Sequence, residues 1–126
     1  MYMQGIVLSF GLEQAENKKL KALCEMVGLR LRKVLPEEYG QPIGSFVGVL
    51  PKKEAVETQK EIDGKMLVFA FVSDRQLNVM LSGIKTARIA AGSYKAVLTE
   101  NNAAWTVPAL FAELYKEREE LNDYPQ

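Results

Sequence analysis

The sequence predicts an α/β domain: a four-stranded sheet assembled from two copies of a strand-helix-strand-helix unit. Three observations carry that expectation. Apolar runs at Ile6 to Phe10 and Met66 to Val72 have the length of buried strands, helical periodicity follows each of them, and the two halves of the chain repeat one order of elements.

Ile6 to Phe10 lies between Gly5 and Gly11 and reads as the first strand. Leu20, Leu23, Cys24 and Val27 then recur at i, i+3, i+4 and i+7 among lysines and glutamates, which makes Leu12 to Val27 an amphipathic helix stopped by Gly28. Leu29 to Leu35 is the second strand, with Leu29, Leu31 and Leu35 on one face and Arg30 and Arg32 on the other. A charged face belongs at a sheet edge. Pro36 ends this strand, and Pro42 opens a short helix with Ile43, Phe46, Val47 and Leu50 on one side, weakened by Gly44 and Gly48 and closed by Pro51. Lys52 to Lys65 is charged and poorly periodic, a loop or frayed helix and the expected mobile segment.

The second half starts at Met66 to Val72, apolar at every position and therefore a central strand covered on both faces. Ser73 and Gln76 have the spacing of a capping box, so a helix begins there and buries Leu77, Met80, Leu81 and Ile84. Ile89 to Ser93 is a turn of small residues, and Tyr94 to Leu98 is the fourth strand. Val107, Leu110, Phe111, Leu114 and Leu121 line one face of a last helix that has Pro108 in its first turn.

Side by side, residues 1–63 and 64–126 read as pseudo-repeats of a single, internally duplicated domain. Val34-Leu35 aligns with Val97-Leu98, Glu37 with Glu100, and Phe46-Val47 with Leu110-Phe111. About sixty residues with two strands bury too little to stand alone, so the halves share one sheet. A parallel, doubly wound sheet in the order 2-1-3-4 is the architecture this favours; the alternative is a ferredoxin-like α+β sandwich in the order 4-1-3-2.

Composition narrows function. The chain is 48% apolar and 25% charged, as expected of one globular domain, and its sixteen basic and sixteen acidic residues cancel. Nucleic acid is thus not an expected partner unless Arg30, Arg32, Lys33, Arg75, Lys85 and Arg88 form one face. Histidine is absent, which removes the usual general base and the commonest zinc ligand. No metal and no cofactor are expected. The single cysteine, Cys24, falls on an apolar helix stripe and reads as a core thiol suited to a reducing cytoplasm, and no apolar run is long enough for a membrane span.

In a parallel sheet, ligands gather beyond the carboxyl ends of the strands. That rule collects Ser9, Glu37, Glu38, Ser73, Asp74 and the turn from Thr99 to Trp105. The turn is the richest of these, since Thr99, Asn101 and Asn102 precede a helix start, Trp105 offers an aromatic surface, and Lys95 stands on the strand before it. Each also has a structural reading: the threonine and asparagines cap the turn, Trp105 anchors the last helix through its indole nitrogen, and Lys95 guards an edge strand. Lys95, Thr99, Asn101, Asn102 and Trp105 are the candidate ligand-binding residues; no catalytic residue is assigned.

The same residues carry a resemblance. Met66 to Leu121, above all KAVLT, the asparagine at 101 or 102, Trp105-Thr106 and the FAEL helix, resembles a bacterial family seen in Firmicutes and known only as a domain of unknown function. The resemblance implies that Lys95, Thr99, Asn101 or Asn102, and Trp105 belong to one recurring turn, and it implies no activity. The function expected is that of a small cytoplasmic, non-catalytic module that binds a protein partner, a second copy of itself or an effector. A small-molecule or anion-binding enzyme domain using a strand-end pocket near Thr99, Asn101 and Trp105 is the alternative.

Overall fold

A computed structural model describes residues 4–54 and 62–122, so half of the charged segment expected to be mobile, residues 55–61, lies outside the described residues. Four strands and three α-helices follow one another as β1 (Ile6–Phe10), α1 (Gln14–Val27), β2 (Arg30–Val34), β3 (Met66–Ala70), α2 (Asp74–Thr86), β4 (Tyr94–Val97) and α3 (Val107–Asn122). Short 3-10 turns stand at Pro36–Glu38, Ile43–Val47 and Asn102–Ala104. The helix expected after Pro42 is the second of these, ended by Gly48 in a left-handed conformation.

The sheet has the order β2-β1-β3-β4, but it is mixed. β1 runs parallel to β2 and β3 parallel to β4, whereas β1 and β3 are antiparallel, with Leu8 opposite Val68. This corrects the parallel sheet, and the order rules out the ferredoxin-like alternative. The reason lies in where the chain leaves and returns. Val34 and Met66 both pair with Phe10, so the segment between β2 and β3 comes back to the end of the sheet it left instead of crossing to the other. An apolar run signals that both faces of a strand are covered and carries no information about its direction.

Both central strands are buried along their length. On one face Ile6, Leu8, Phe10, Met66, Val68 and Ala70 pack against Tyr39, Ile43, Phe46, Val107, Leu110 and Phe111. On the other, Val7, Leu67 and Phe69 pack against Leu20 and Cys24 of α1 and Met80 and Ile84 of α2. Phe10 meets Tyr39 and Phe46 at ring-centroid distances of 6.1 and 6.3 Å, within the range of favourable aromatic pairs. Three residues assigned to buried positions are exposed: Leu35, just past the end of β2, Phe71, just past the end of β3, and Leu121, which at 66% exposure has outrun the sheet that α3 covers.

The strand pairing arranges β1-α1-β2 and β3-α2-β4 symmetrically about the centre of the sheet, an approximate two-fold axis that passes between Leu8 and Val68. From β1 to the end of α1, equivalent positions are sixty residues apart. The Glu13 amide donates to Glu16 Oε1 and the Ser73 amide to Gln76 Oε1, both at 3.0 Å. Leu29 N donates to the Cys24 carbonyl and Ile89 N to the Ile84 carbonyl, each closing the end of its helix. Beyond the helices the offset is sixty-four, because Arg30 and Tyr94 are the residues that pair with the first positions of β1 and β3. Val34 is therefore equivalent to Leu98, one place from the alignment that the apolar pattern suggested. The axis is marked on the helical layer by Leu23 and Gly83, which are equivalent and touch: a β-carbon on Gly83 would lie 2.9 Å from Leu23 Cδ1.

Candidate functional site

Because β1 and β3 are antiparallel, the carboxyl ends of β1 and β2 point one way and those of β3 and β4 the other. The strand-end residues expected to share one crevice are thus divided. Glu38 accepts from Arg32 at 2.9 Å and from the Leu35 amide at 3.0 Å, and Ser9 donates to Asn17 Oδ1 at 2.6 Å on the α1 side.

The Thr99 to Trp105 turn closes on itself. The Thr99 amide donates to Asn102 Oδ1 at 2.9 Å, the Asn102 amide returns to Thr99 Oγ1 at 3.1 Å, and Asn102 Nδ2 donates to the Val97 carbonyl at 3.0 Å. Asn102 is 8% exposed, with both ends of its side-chain amide engaged in holding the chain as it leaves β4. Its equivalent is Glu38, which holds the Leu35 amide in the same way. Asn101 is exposed and makes no side-chain hydrogen bond among the described residues. Trp105 is 37% exposed and anchors the fold through its backbone, its carbonyl accepting from Ile43 N at 2.9 Å. Its indole nitrogen, expected to hold a carbonyl, makes no such bond among the described residues.

Lys95 stands apart from these four. Strand alternation turns Tyr94, Ala96 and Leu98 toward α3 and Lys95 toward α2. There it borders a cavity of about 380 Å³, whose floor is Leu81, Ile84 and Ile89 and whose other cations are Lys85 and Arg88. Lys95 Nζ donates to the Ser93 carbonyl at 3.1 Å, which also accepts from Arg118 at 3.2 Å. Burial pushes the Lys95 ammonium below its ordinary value, and the nearby charge of Arg118 adds to the shift. Arg118 lies 3.5 Å over the Tyr94 ring and also reaches the Gly92 carbonyl at 3.1 Å. Lys85, Arg88 and Lys95 have no ion-pair partner among the described residues.

Lys85 and Arg88 figure in the sequence only within a scattered basic set. The structure divides that set, since Arg30, Arg32 and Lys33 are on β2 at one edge of the sheet while Lys85 and Arg88 gather beside β4 at the other. The turn from Arg88 to Ser93 is what brings Lys85 and Lys95, ten positions apart, to one cavity.

The two-fold axis places a second cleft, of about 470 Å³, at the end of α1 beside β2. Cys24, Glu25, Gly28, Leu29 and Leu31 line it at the positions equivalent to Ile84, Lys85, Arg88, Ile89 and Lys95. Its charges are mixed, with Glu25 between Lys21 and Arg30. Cys24 is buried, and burial with the neighbouring Glu25 pushes its thiol up to about 11, which disfavours the thiolate at neutral pH.

Residues 65–121, from the residue before β3 into the last turns of α3, match a domain of unknown function, DUF3783. No curated protein and no solved structure matches the chain. No helix among the described residues is long and apolar enough to cross a membrane.

Proposed function

We propose that this protein is a non-catalytic, cytoplasmic module that binds a small effector in the cavity between α2 and β4, and that it arose by duplication of a strand-helix-strand-helix unit. One observation carries the binding role: Lys85, Arg88 and Lys95 converge on an apolar-floored cavity with no carboxylate to oppose them. A compact cavity with a few convergent polar groups is the usual form of a small-molecule site. The strand-end turn offers less, because its buried asparagine is engaged in the fold. The buried, unpaired Cys24 supports a reducing compartment. The shared helix-capping and helix-ending hydrogen bonds support the duplication.

A thermal-shift screen against cellular metabolites and nucleotides tests the binding role, with the parent compared against Lys85→Ala and Asn101→Ala. Metabolites that stabilise the parent and Asn101→Ala but not Lys85→Ala support it. Stabilisation lost only in Asn101→Ala would move the site to the strand-end turn, and no stabilisation by any metabolite would count against an effector.

A further inference from the structure

We infer that the α2–β4 cavity takes an amphiphilic anion, a carboxylate or phosphate monoester on a compact apolar body, and that Arg88 is the residue that determines this specificity. The inference rests on the effector-binding reading and names its ligand class.

The two clefts related by the two-fold axis have the same backbone plan and different side chains. Glu25 is replaced by Lys85, Gly28 by Arg88 and Leu31 by Lys95, each adding positive charge, while Lys21 is replaced by the apolar Leu81; the first cleft is lined by Lys21, Arg30 and Glu25, the second by three cations and no carboxylate. The apolar pair Leu29 and Ile89 is kept.

Arg88 is the most informative of the three. It has φ 53, the left-handed conformation that ends α2, and its equivalent Gly28 has φ 84. A β-carbon at Gly28 would meet nothing within 4 Å, so the glycine there answers to backbone conformation alone. An L-residue in this region costs about 1–2 kcal/mol relative to glycine. The Arg88 guanidinium makes no hydrogen bond or ion pair among the described residues that would offset this cost. Ala90, also on the cavity, and Phe71, which does not line it, are left-handed as well, at φ 48 and φ 58. Backbone hydrogen bonds close this turn, Arg88 N donating to the Lys85 carbonyl and Ile89 N to the Ile84 carbonyl, so the helix end makes no use of the arginine side chain and leaves its guanidinium available to a ligand in the cavity.

The ligand class follows from the lining. A guanidinium offers paired donors to a carboxylate or phosphate, and two lysines add point charges. The buried Ile84 and Ile89 and the half-buried Leu81 offer apolar surface and no hydrogen bond, so they suit a hydrocarbon or ring rather than a second polar group. The volume of about 380 Å³ suits a small molecule.

The test is a titration of the isotope-labelled chain with hexanoate and with phenyl phosphate, followed through amide chemical shifts. Acetate, inorganic phosphate and hexan-1-ol serve as head-only and body-only controls. At least one amphiphile should bind saturably and shift the amides of Ile84 to Lys95, more tightly than each control. Hexanoate and phenyl phosphate distinguish the two head groups. Arg88→Gly should weaken binding by about tenfold or more while its melting temperature is equal to or above that of the parent. Arg88→Lys, which keeps the charge without the planar fork, should fall between. Equal binding of acetate or inorganic phosphate would overturn the amphiphile and leave an effector site standing. No saturable binding of either amphiphile up to about 10 mM would overturn the amphiphilic anion, while the effector reading stands or falls with the metabolite screen. Unaltered binding in Arg88→Gly would overturn the role of that residue.

Discussion

Gly28 and Arg88 occupy one position in two halves of a single chain: each is the left-handed residue that ends its helix, yet one is glycine and the other arginine. Each donates its amide back into the last helical turn, Gly28 to the Glu25 carbonyl and Arg88 to the Lys85 carbonyl, both at 3.3 Å. The backbone requirement is shared and the side chain is not. Arg88→Gly should therefore raise unfolding stability by about 1 kcal/mol, the relief of left-handed strain exceeding the added freedom of the unfolded chain. Gly28→Ala should lower it by about 1–2 kcal/mol. Urea unfolding of the two variants checks both signs.

Asn102 and Asn101 should behave oppositely. Asn102→Ala strands the Thr99 amide and the Val97 carbonyl in a partly buried turn and should cost about 2–3 kcal/mol. Asn101→Ala should stay within about 0.5 kcal/mol of the parent. Equal losses in equilibrium denaturation would mean that the turn is held in some other way.

Leu23 and Gly83 make a large-and-small pair on the two-fold axis. Gly83→Leu should overpack the crossing of α1 and α2 and cost about 2–3 kcal/mol. Leu23→Ala combined with Gly83→Leu should recover at least half of that loss, because the axis makes the positions interchangeable. A double-mutant cycle measures the coupling, and strict additivity would show that the pair does not share one space.

Lys65 and Glu16 link the start of β3 to the first turn of α1 at 2.7 Å. Burial raises the Glu16 carboxyl, but the hydrogen bond from Lys65, the Glu13 amide and the Lys65 charge outweigh it and leave the group below its ordinary 4.5. A carboxyl lowered on folding contributes stability that is present above pH 4.5 and lost as pH falls through the folded value. Lys65 is raised, chiefly by its hydrogen bond to Glu16, so its share is present below pH 10.5 and lost as pH rises through the folded value. Glu16→Gln should remove both dependences. Melting temperatures across acid, neutral and alkaline buffers check this: the difference between parent and variant should be largest between those limits.

Several elements were legible because their signals are local. Gly28 ended α1, Ser73 and Gln76 capped α2, and the apolar run from Met66 identified a central strand. Each of these depends on residues within one or two turns of each other. The exposure of Leu121 was not legible, since helical periodicity gives a face but not the point at which the sheet beneath it stops. Lys95 could be placed on the side of its strand opposite Tyr94, yet strand alternation does not say what lies on that side.

The sequence alone determined the identity and order of the strands and long helices and the cap of α2, and it favoured the strand order found, because hydrophobic period and turn chemistry are encoded within short windows. Only the tertiary structure decided that β1 and β3 run antiparallel, since burial constrains both faces of a strand equally in either direction. That reversal divides the strand ends between two sides of the sheet. The cavity beside β4 was decided at the same level, by a left-handed turn that brings Lys85, Arg88 and Lys95 together although no motif in the sequence joins them.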